Sequence, residues 1–363
     1  MERDSSQYMK SRAPGRVDLF NTHQDYKGLP VVPAAINLRT EVEGREAPGR
    51  VKVESMDLGE RDEVDADSEF TGRWSDYVIA ALRAMRRRGM RVGGAELIVR
   101  SGIPMGAGLG SSSALLVAII KWFGASLGAG LTRGELAELA FEAENAELGI
   151  PCGRLDQYAS AFGGLIALET RPPYSVEELG VKDLSLAVVD SGVKHRTSNI
   201  HSERQRELRG ALRALGEAMG RNLDFPLDRV DWDWIGREAV EYLDSLSDVQ
   251  RRRIEFTIRM NQSTKAVLVE LRKPKPSPRI VGRAMNEQHE MLRDLYDVSI
   301  PEIEAIRNKL IDLGALGAKL SGAGMGGSVV ALFEDAAAAA RAVEGVGSRS
   351  WVVSVEPGAD VIP

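Results

Sequence analysis

The stretch PMGAGLGSSSA, Pro104–Ala114, decides how this chain is read. Gly106, Gly108 and Gly110 alternate with apolar residues, and three serines then open a run, SSALLVAIIKWFGASL, that is apolar nearly all round. Glycine permits positive φ and lets a backbone come close to a ligand. The helix expected from about Ser112 to Leu127 places free N–H groups and the positive end of its dipole at Ser111–Ser113. Such an end suits phosphate oxygens, and serine hydroxyls beside it can reach a magnesium ion. No lysine follows the glycines, so this is not a Walker A loop. From the glycines alone, a turn that merely joins strand to helix stays open, and the helix behind it reads as a buried core element.

Outward from this loop, periodicity predicts a mixture of elements. Before it, Val17–Phe20 and Leu29–Ile36 read as strands around a polar turn, Glu41–Glu54 as a hairpin around Ala47–Gly49, Ser75–Arg88 as a helix and Ala95–Arg100 as a strand. After it, Thr132–Glu147 opens with a capping box, Thr132 with Glu135 three residues on. Leu184–Val189 reads as a strand, Asn199–Met219 as an amphipathic helix, Lys273–Pro278 as a loop and Ile300–Leu313 as a helix led by Pro301. Ala318–Leu320 and Val329–Phe333 are strands flanking a second glycine stretch, and Ala336–Val343 and Trp351–Val355 a last helix and strand. This order predicts α+β rather than repeating βαβ units. A chain of 363 residues suggests two domains at about 150 residues each. The composition break at Arg171–Ser175 places them at 1–172 and 173–363.

The second stretch, Ser321–Ser328, spells a formal G-x-G-x-x-G with Gly322, Gly324 and Gly327. A dinucleotide loop must lead into a helix, whereas a strand pattern follows here, which argues against that fold.

Composition narrows the classes. With 47 Lys and Arg against 53 Asp and Glu the net charge is −6, which argues against nucleic acid as a partner. The basic runs Arg86–Arg88 and Arg251–Arg253 have acidic neighbours and read as solvated helix faces. A single cysteine, Cys152, excludes an internal disulfide and fits a reducing, cytoplasmic setting. Four histidines and one cysteine speak against a His/Cys zinc site. Neither a secretion signal nor a membrane span is expected, since MERDSSQYMKSRAPGR lacks an apolar core and no apolar run approaches about 18 residues.

PMGAGLGSSSA resembles the ATP-binding motif of the GHMP kinases, the family of galactokinase, homoserine kinase, mevalonate kinase and phosphomevalonate kinase. The resemblance implies that Gly106, Gly108, Leu109, Gly110, Ser111, Ser112 and Ser113 wrap ATP. It implies that Ser112 and Glu144, in AENAELGIPCGRLDQ, hold Mg2+. The second stretch resembles the third motif of the family, in which Gly322, Gly324, Gly326 and Gly327 would support the phosphate loop. The galactokinase branch is indicated by APGRVDLFNTHQDY, Ala13–Tyr26, which is similar to the signature A-P-G-R-V-N-L-I-G-E-H-T-D-Y and keeps its H-x-D-Y core as His23, Asp25 and Tyr26. Further blocks agree: Cys152–Gly164, Val189–Glu207, Met285–Ile306, VVSVEPGADV near the end, and Trp74 followed by Tyr77 on the nucleotide side.

The implied fold is two-lobed α+β. Its N-terminal ATP-loop domain would be like domain 2 of ribosomal protein S5, and its C-terminal domain ferredoxin-like, with a cleft between. The implied reaction moves the γ-phosphate of ATP to the anomeric C1 hydroxyl of a galactose-type sugar. Asp156 would be the base, with Arg16 beside it, and Thr22, His23, Asp25 and Tyr26 would line the sugar site. Among the departures from the pattern, Thr22 stands where galactokinases carry Glu, implied to bind the C6 hydroxyl, and Asn21 where they carry Gly. The lost carboxylate points to galactose still being used, or to a changed sugar such as galacturonate, an N-acetylhexosamine or L-arabinose. A sensor that binds sugar and ATP without turnover, and a kinase of a mevalonate-like alcohol, are the competing readings.

Overall fold

The computed structural model describes residues 8–193 and 197–362, with the backbone alone at 197–199. Lys194, His195 and Arg196, within the block Val189–Glu207, therefore lie outside the described residues, as do residues 1–7.

The first half of the chain builds a six-stranded sheet. Its strands β1 (Met9–Phe20), β2 (Val32–Glu46), β3 (Val51–Ser55), β4 (Glu60–Val64) and β5 (Ala95–Ser101) are joined by β12 (Asp360–Ile362) from the far end of the chain, in the order β12-β1-β2-β5-β3-β4. The expected hairpin over Glu41–Glu54 does not form. β5 lies between β2 and β3, antiparallel to the first and parallel to the second. The turn at 47–50 thus passes over a strand that arrives later, and Ala47 donates to the Gly94 carbonyl at 3.0 Å, not to its own hairpin partner.

Four helices cover this sheet: α1 (Asp76–Arg87), α2 (Ser111–Ser126), α3 (Arg133–Glu142) and α4 (Leu155–Phe162). α2 is the central one, with Leu116, Val117, Ile119, Ile120 and Trp122 at most 1% exposed. A helix apolar on all sides has no solvent face to offer, so it is packed on all sides. Ser11 Oγ, from β1, donates to the Ala118 carbonyl at 2.7 Å, and Trp122 Nε1 donates to the Met9 carbonyl at 3.0 Å. The capping box opens α3 as expected, with Thr132 and Glu135 each bonded to the other's backbone. A five-residue π-turn, Ala143–Glu147, follows α3 directly.

β6 (Ile166–Glu169) and β7 (Ser175–Glu178) form a small ribbon. The second large sheet holds β8 (Ser185–Asp190), β9 (Gly317–Ser321), β10 (Ser328–Phe333) and β11 (Ser350–Val353) in the order β11-β8-β10-β9, all antiparallel. Counted within that sheet the order is 4-1-3-2, the ferredoxin-like arrangement. Between β8 and β9 run α5 (Thr197–Met219), α6 (Trp232–Glu238), α7 (Asp248–Leu271), α8 (Pro278–Asp294) and α9 (Pro301–Asp312); α10 (Ala336–Val346) follows β10. The strand after the second glycine stretch is β10, so the dinucleotide-loop reading fails as expected.

Arg86–Arg88 are exposed, as read from sequence. Arg253 is not: it is 2% exposed and pairs with Glu207 at 2.6 Å and Asp297 at 2.8 Å. Its partners lie on α5 and in the turn after α8, whereas the acidic residues beside it in sequence, Asp248 and Glu255, pair with Arg251 and Arg252.

Candidate active site

The two glycine stretches lie against each other. Gly106, Gly108 and Gly110 all have φ near +70° (74°, 68° and 74°), a region glycine occupies at little cost. A Cβ on Gly108 would sit 2.7 Å from the Ser321 carbonyl oxygen, and one on Gly322 3.1 Å from the Gly108 Cα. Ser328 Oγ donates to the Ala107 carbonyl at 2.6 Å. Gly322 lies on the cleft wall, while Gly324 packs against Val298 and Gly327 behind Ala107. The second loop is therefore a backing for the first.

In front of them opens a cleft of about 400 Å3 lined by both halves of the chain. Its wall includes Gly106, Gly108, Leu109, Gly110, Ser111 and Ser112 from the first loop, Gly322 and Ala323 from the second, and Arg16, Asp18, Thr22, His23, Asp25, Tyr77, Glu144 and Asp156. β1 supplies Arg16 and Asp18, and the turn after it Thr22, His23 and Asp25.

Arg16 is the hub. Nε donates to Asp156 Oδ1 at 2.7 Å, Nη2 to Asp156 Oδ2 at 2.5 Å and Nη1 to the Gly108 carbonyl at 2.5 Å. Such a two-point pair fixes a carboxylate in direction as well as place. The arginine side chain is 8% exposed and that of Asp156, in the first turn of α4, is 29% exposed. Burial opposes the Arg16 charge, but Asp156 outweighs it and the guanidinium pKa rises.

Glu144, in the π-turn, reaches the serines that open α2. Ser112 Oγ donates to its Oε1 at 2.7 Å, Ser113 Oγ to its Oε2 at 2.8 Å, and Gln157 Nε2 to its Oε2 at 2.7 Å. Glu144 is 5% exposed, and burial raises its pKa despite these donors. A π-turn shifts the following side chains by one position around the helix, and such turns gather at working sites.

Asp25 is held by the N–H groups of Tyr26, at 3.0 Å, and Leu155, at 3.5 Å. Burial, with Asp156 and Asp18 nearby, pushes its pKa up to about 6. Gly153 makes room for it: a Cβ there would fall 1.8 Å from Asp25 Oδ2. Asn21 and His23 have φ of 66° and 65°. Asparagine accepts this left-handed conformation better than most side chains, which explains how it stands where the galactokinase pattern has glycine. His23 Nε2 lies 2.9 Å from the Ala323 carbonyl, tying the turn to the second loop.

Three expected ligands are not on the wall. Tyr26 turns its hydroxyl to Tyr296, at 2.7 Å, and to His23 Nδ1, at 3.2 Å. Trp74 packs against the core between the six-stranded sheet and its helices, with its N–H buried and unpartnered among the described residues, and Tyr77 takes the wall position instead. Ser113 is behind the wall, bonded to Glu144. Thr22 is on the wall, but its Oγ1 accepts from Lys319 Nζ at 2.8 Å. Sequence reading passed over Asp18, Cys152, Gly153, His201 and Lys319. The Asp at position 18 was visible as a change from Asn within the quoted signature; Cys152, Gly153 and His201 lay within blocks already matched but were not singled out, and Lys319 carried no local signal.

Comparison with known proteins gives one consistent picture. Residues 76–164 match the GHMP kinases N terminal domain, residues 267–352 the GHMP kinases C terminal domain, and residues 4–46 the galactokinase galactose-binding signature. The chain is 33% identical over 332 residues to the galactokinase of Thermococcus kodakarensis, covering 90% of this chain and 89% of that one. It is 33% identical to the galactokinase of Thermotoga neapolitana, with 89% of each covered. Its fold superposes on Lactococcus lactis galactokinase complexed with galactose with a TM-score of 0.84 at 24% identity, covering 98% and 96% of the two chains. With Methanococcus jannaschii mevalonate kinase the TM-score is 0.72 at 18% identity, covering 97% and 100%.

Proposed function

The chain belongs to the GHMP kinases, in their galactokinase branch, and from that premise we propose that it transfers the γ-phosphoryl group of ATP to the C1 hydroxyl of a galactose-type sugar. The observation that carries this reading is the two-point Arg16–Asp156 pair set directly against the glycine loop, within one cleft.

Phosphoryl transfer asks for positioning and for charge on the phosphate oxygens to be balanced. The open N–H groups of Ser111 and Ser112 and the α2 dipole face the triphosphate. The sugar oxygen bonds to the γ-phosphorus as the bond to the β–γ bridging oxygen breaks, leaving ADP and a sugar 1-phosphate. The hydroxyl proton passes to the Asp156 carboxylate, which Arg16 holds in place and direction through its two hydrogen bonds. Asp25, His23 and Thr22 orient the sugar.

Mg2+ fits the residues present. Ser112 and Glu144 put a hydroxyl and a buried carboxylate together on the wall, oxygen donors of the kind this ion takes alongside phosphate. The raised pKa of Glu144 marks a carboxylate short of positive charge. When bound, the ion would neutralise phosphate charge; Ser112 and Glu144 would hold it.

The same reading includes two units, 1–172 and 173–363, with β12 returning to the first sheet, and a cytoplasmic location where ATP and free sugars meet. No helix among the described residues is long and apolar enough to cross a membrane.

The test is ADP release with Mg-ATP across galactose, glucose, galacturonate, N-acetylgalactosamine, N-acetylglucosamine and L-arabinose, with mevalonate and homoserine as controls. Phosphorus NMR of the product locates the new phosphate. Turnover of galactose to a 1-phosphate supports the proposal; turnover of mevalonate alone, or tight sugar binding without turnover, overturns it.

A further inference from the structure

The transfer chemistry leaves one carboxylate of the cleft without a task. Asp18 follows Arg16 by two residues in β1, and both stand on the cleft wall. It is 4% exposed. Its backbone is fixed on both sides: its N–H donates to Ser321 Oγ at 3.0 Å, and its carbonyl accepts from Lys319 Nζ at 2.6 Å.

Lys319 would be the natural counter-ion, but its ammonium is spent elsewhere. Nζ donates to the Asp18 carbonyl, to Thr22 Oγ1 at 2.8 Å and to the Leu320 carbonyl at 3.0 Å. An ammonium has three N–H donors, and these three acceptors use them. Arg16 is committed to Asp156 and to the Gly108 carbonyl. The Asp18 carboxylate consequently has neither cation bonded to it, and its Oδ1 is buried without a hydrogen-bond partner among the described residues. Burial raises its pKa, with Lys319 and Arg16 offsetting only part of the cost. A buried carboxylate with an unmet acceptor is costly to keep, and a donor on a ligand would relieve it.

Resting on the sugar-kinase reading, we infer that Asp18 is a sugar-contacting residue that sets substrate class: it accepts a hydrogen bond from a hydroxyl of a neutral sugar and turns away sugars that bring a carboxylate to that place. This reverses what Thr22 alone suggests. The carboxylate missing at position 22 does not leave a neutral wall, because Asp18, Asp25 and Asp156 together face the cleft. A uronate entering there meets acceptors, and the two nearest described cations are already bonded.

The experiment uses the full chain with Mg-ATP and two probes, galactose and galacturonate, for the wild type, Asp18→Asn and Asp18→Ala. Wild type is expected to prefer galactose by at least about tenfold in kcat/KM, the scale of one hydrogen bond to a charged group. Asp18→Ala is expected to raise KM for galactose about tenfold or more, with KM for ATP within about twofold and kcat changed less than KM. Asp18→Asn, which keeps the shape and adds a donor, is expected to shift the preference toward galacturonate by about tenfold. A purely structural role would move melting temperature and both KM values together. The inference is overturned if wild type prefers galacturonate, a result that needs no variant, or if folded variants leave sugar KM and the preference unchanged. If wild type turns over no sugar, the kinase reading falls; calorimetric binding of the same two sugars then decides Asp18 separately, with equal affinities counting against it.

Discussion

Arg16 and Asp156 meet through two parallel hydrogen bonds, of 2.7 and 2.5 Å, although 140 residues separate them in the chain. β1 and the first turn of α4 are thereby locked at the point where the glycine loop passes, since the same guanidinium also holds the Gly108 carbonyl. Substituting Asp156→Asn keeps the shape and removes the charge. Turnover is expected to fall by roughly a thousandfold, with the circular dichroism spectrum unchanged and KM for sugar within a few-fold. Full activity in that variant would sink the assignment of Asp156 as base.

Glu144→Gln tests the other carboxylate. Its hydrogen bonds from Ser112 and Ser113 hold it against the start of α2. Loss of the charge is expected to raise the Mg2+ concentration for half-maximal rate by about tenfold or more. Titration of Mg2+ at saturating ATP reads this directly; an unchanged midpoint would place the metal elsewhere.

Gly108→Ala probes the packing of the two loops. The residue has φ of +68°, and its added Cβ would lie 2.7 Å from the Ser321 carbonyl. Backbone cannot give way as a flexible side chain can, so a loss of about 1–3 kcal/mol is expected in urea unfolding. KM for ATP should rise with it. A control at Thr132, where Ala removes the cap of α3, should cost about 1 kcal/mol and leave both KM values alone.

Asp25 gives a pH signature. Its folded pKa is pushed up to about 6, above its ordinary value of 3.8, so the folded chain binds this proton more tightly than the unfolded one. Stability from this group is therefore complete below about pH 4 and is lost as pH rises through about 6. Sugar binding runs the other way, because the ionised form is the better acceptor. KM for sugar is expected to rise as pH falls below about 6, while KM for ATP does not follow; parallel changes in both would assign the effect to another group.

The parts of the site that were legible in the sequence are contiguous. The first glycine loop, the serines that open α2 and the His23–Asp25 turn each sit within a few residues, so local chemistry spelled them out. What sequence reading missed depends on distant partners. Lys319 matters through its bonds to Asp18 and Thr22, some 300 residues earlier, and Gly153 matters because Asp25 needs its space. Arg253 looked solvated because helical periodicity cannot reveal Asp297 waiting on another segment. The false hairpin has the same origin: β5 enters between β2 and β3 after α1 has been completed, and alternation within Glu41–Glu54 carries no trace of it.

The pairing of β12 with β1 sets Lys10 opposite Ile362 and Arg12 opposite Asp360, with the Arg12 and Asp360 side chains joined at 2.7 and 2.8 Å. The beginning and end of the described fold are thus neighbours in one sheet, and residues 8–362 form nearly a closed ring. Its linear order is then a matter of where the ring is cut. Joining residue 362 to residue 8 by a short flexible linker, and opening the chain in the loop at 273–277, would give a circular permutant whose new ends lie far along the sequence from either glycine loop. The cleft would be assembled from the same walls in a different order of synthesis.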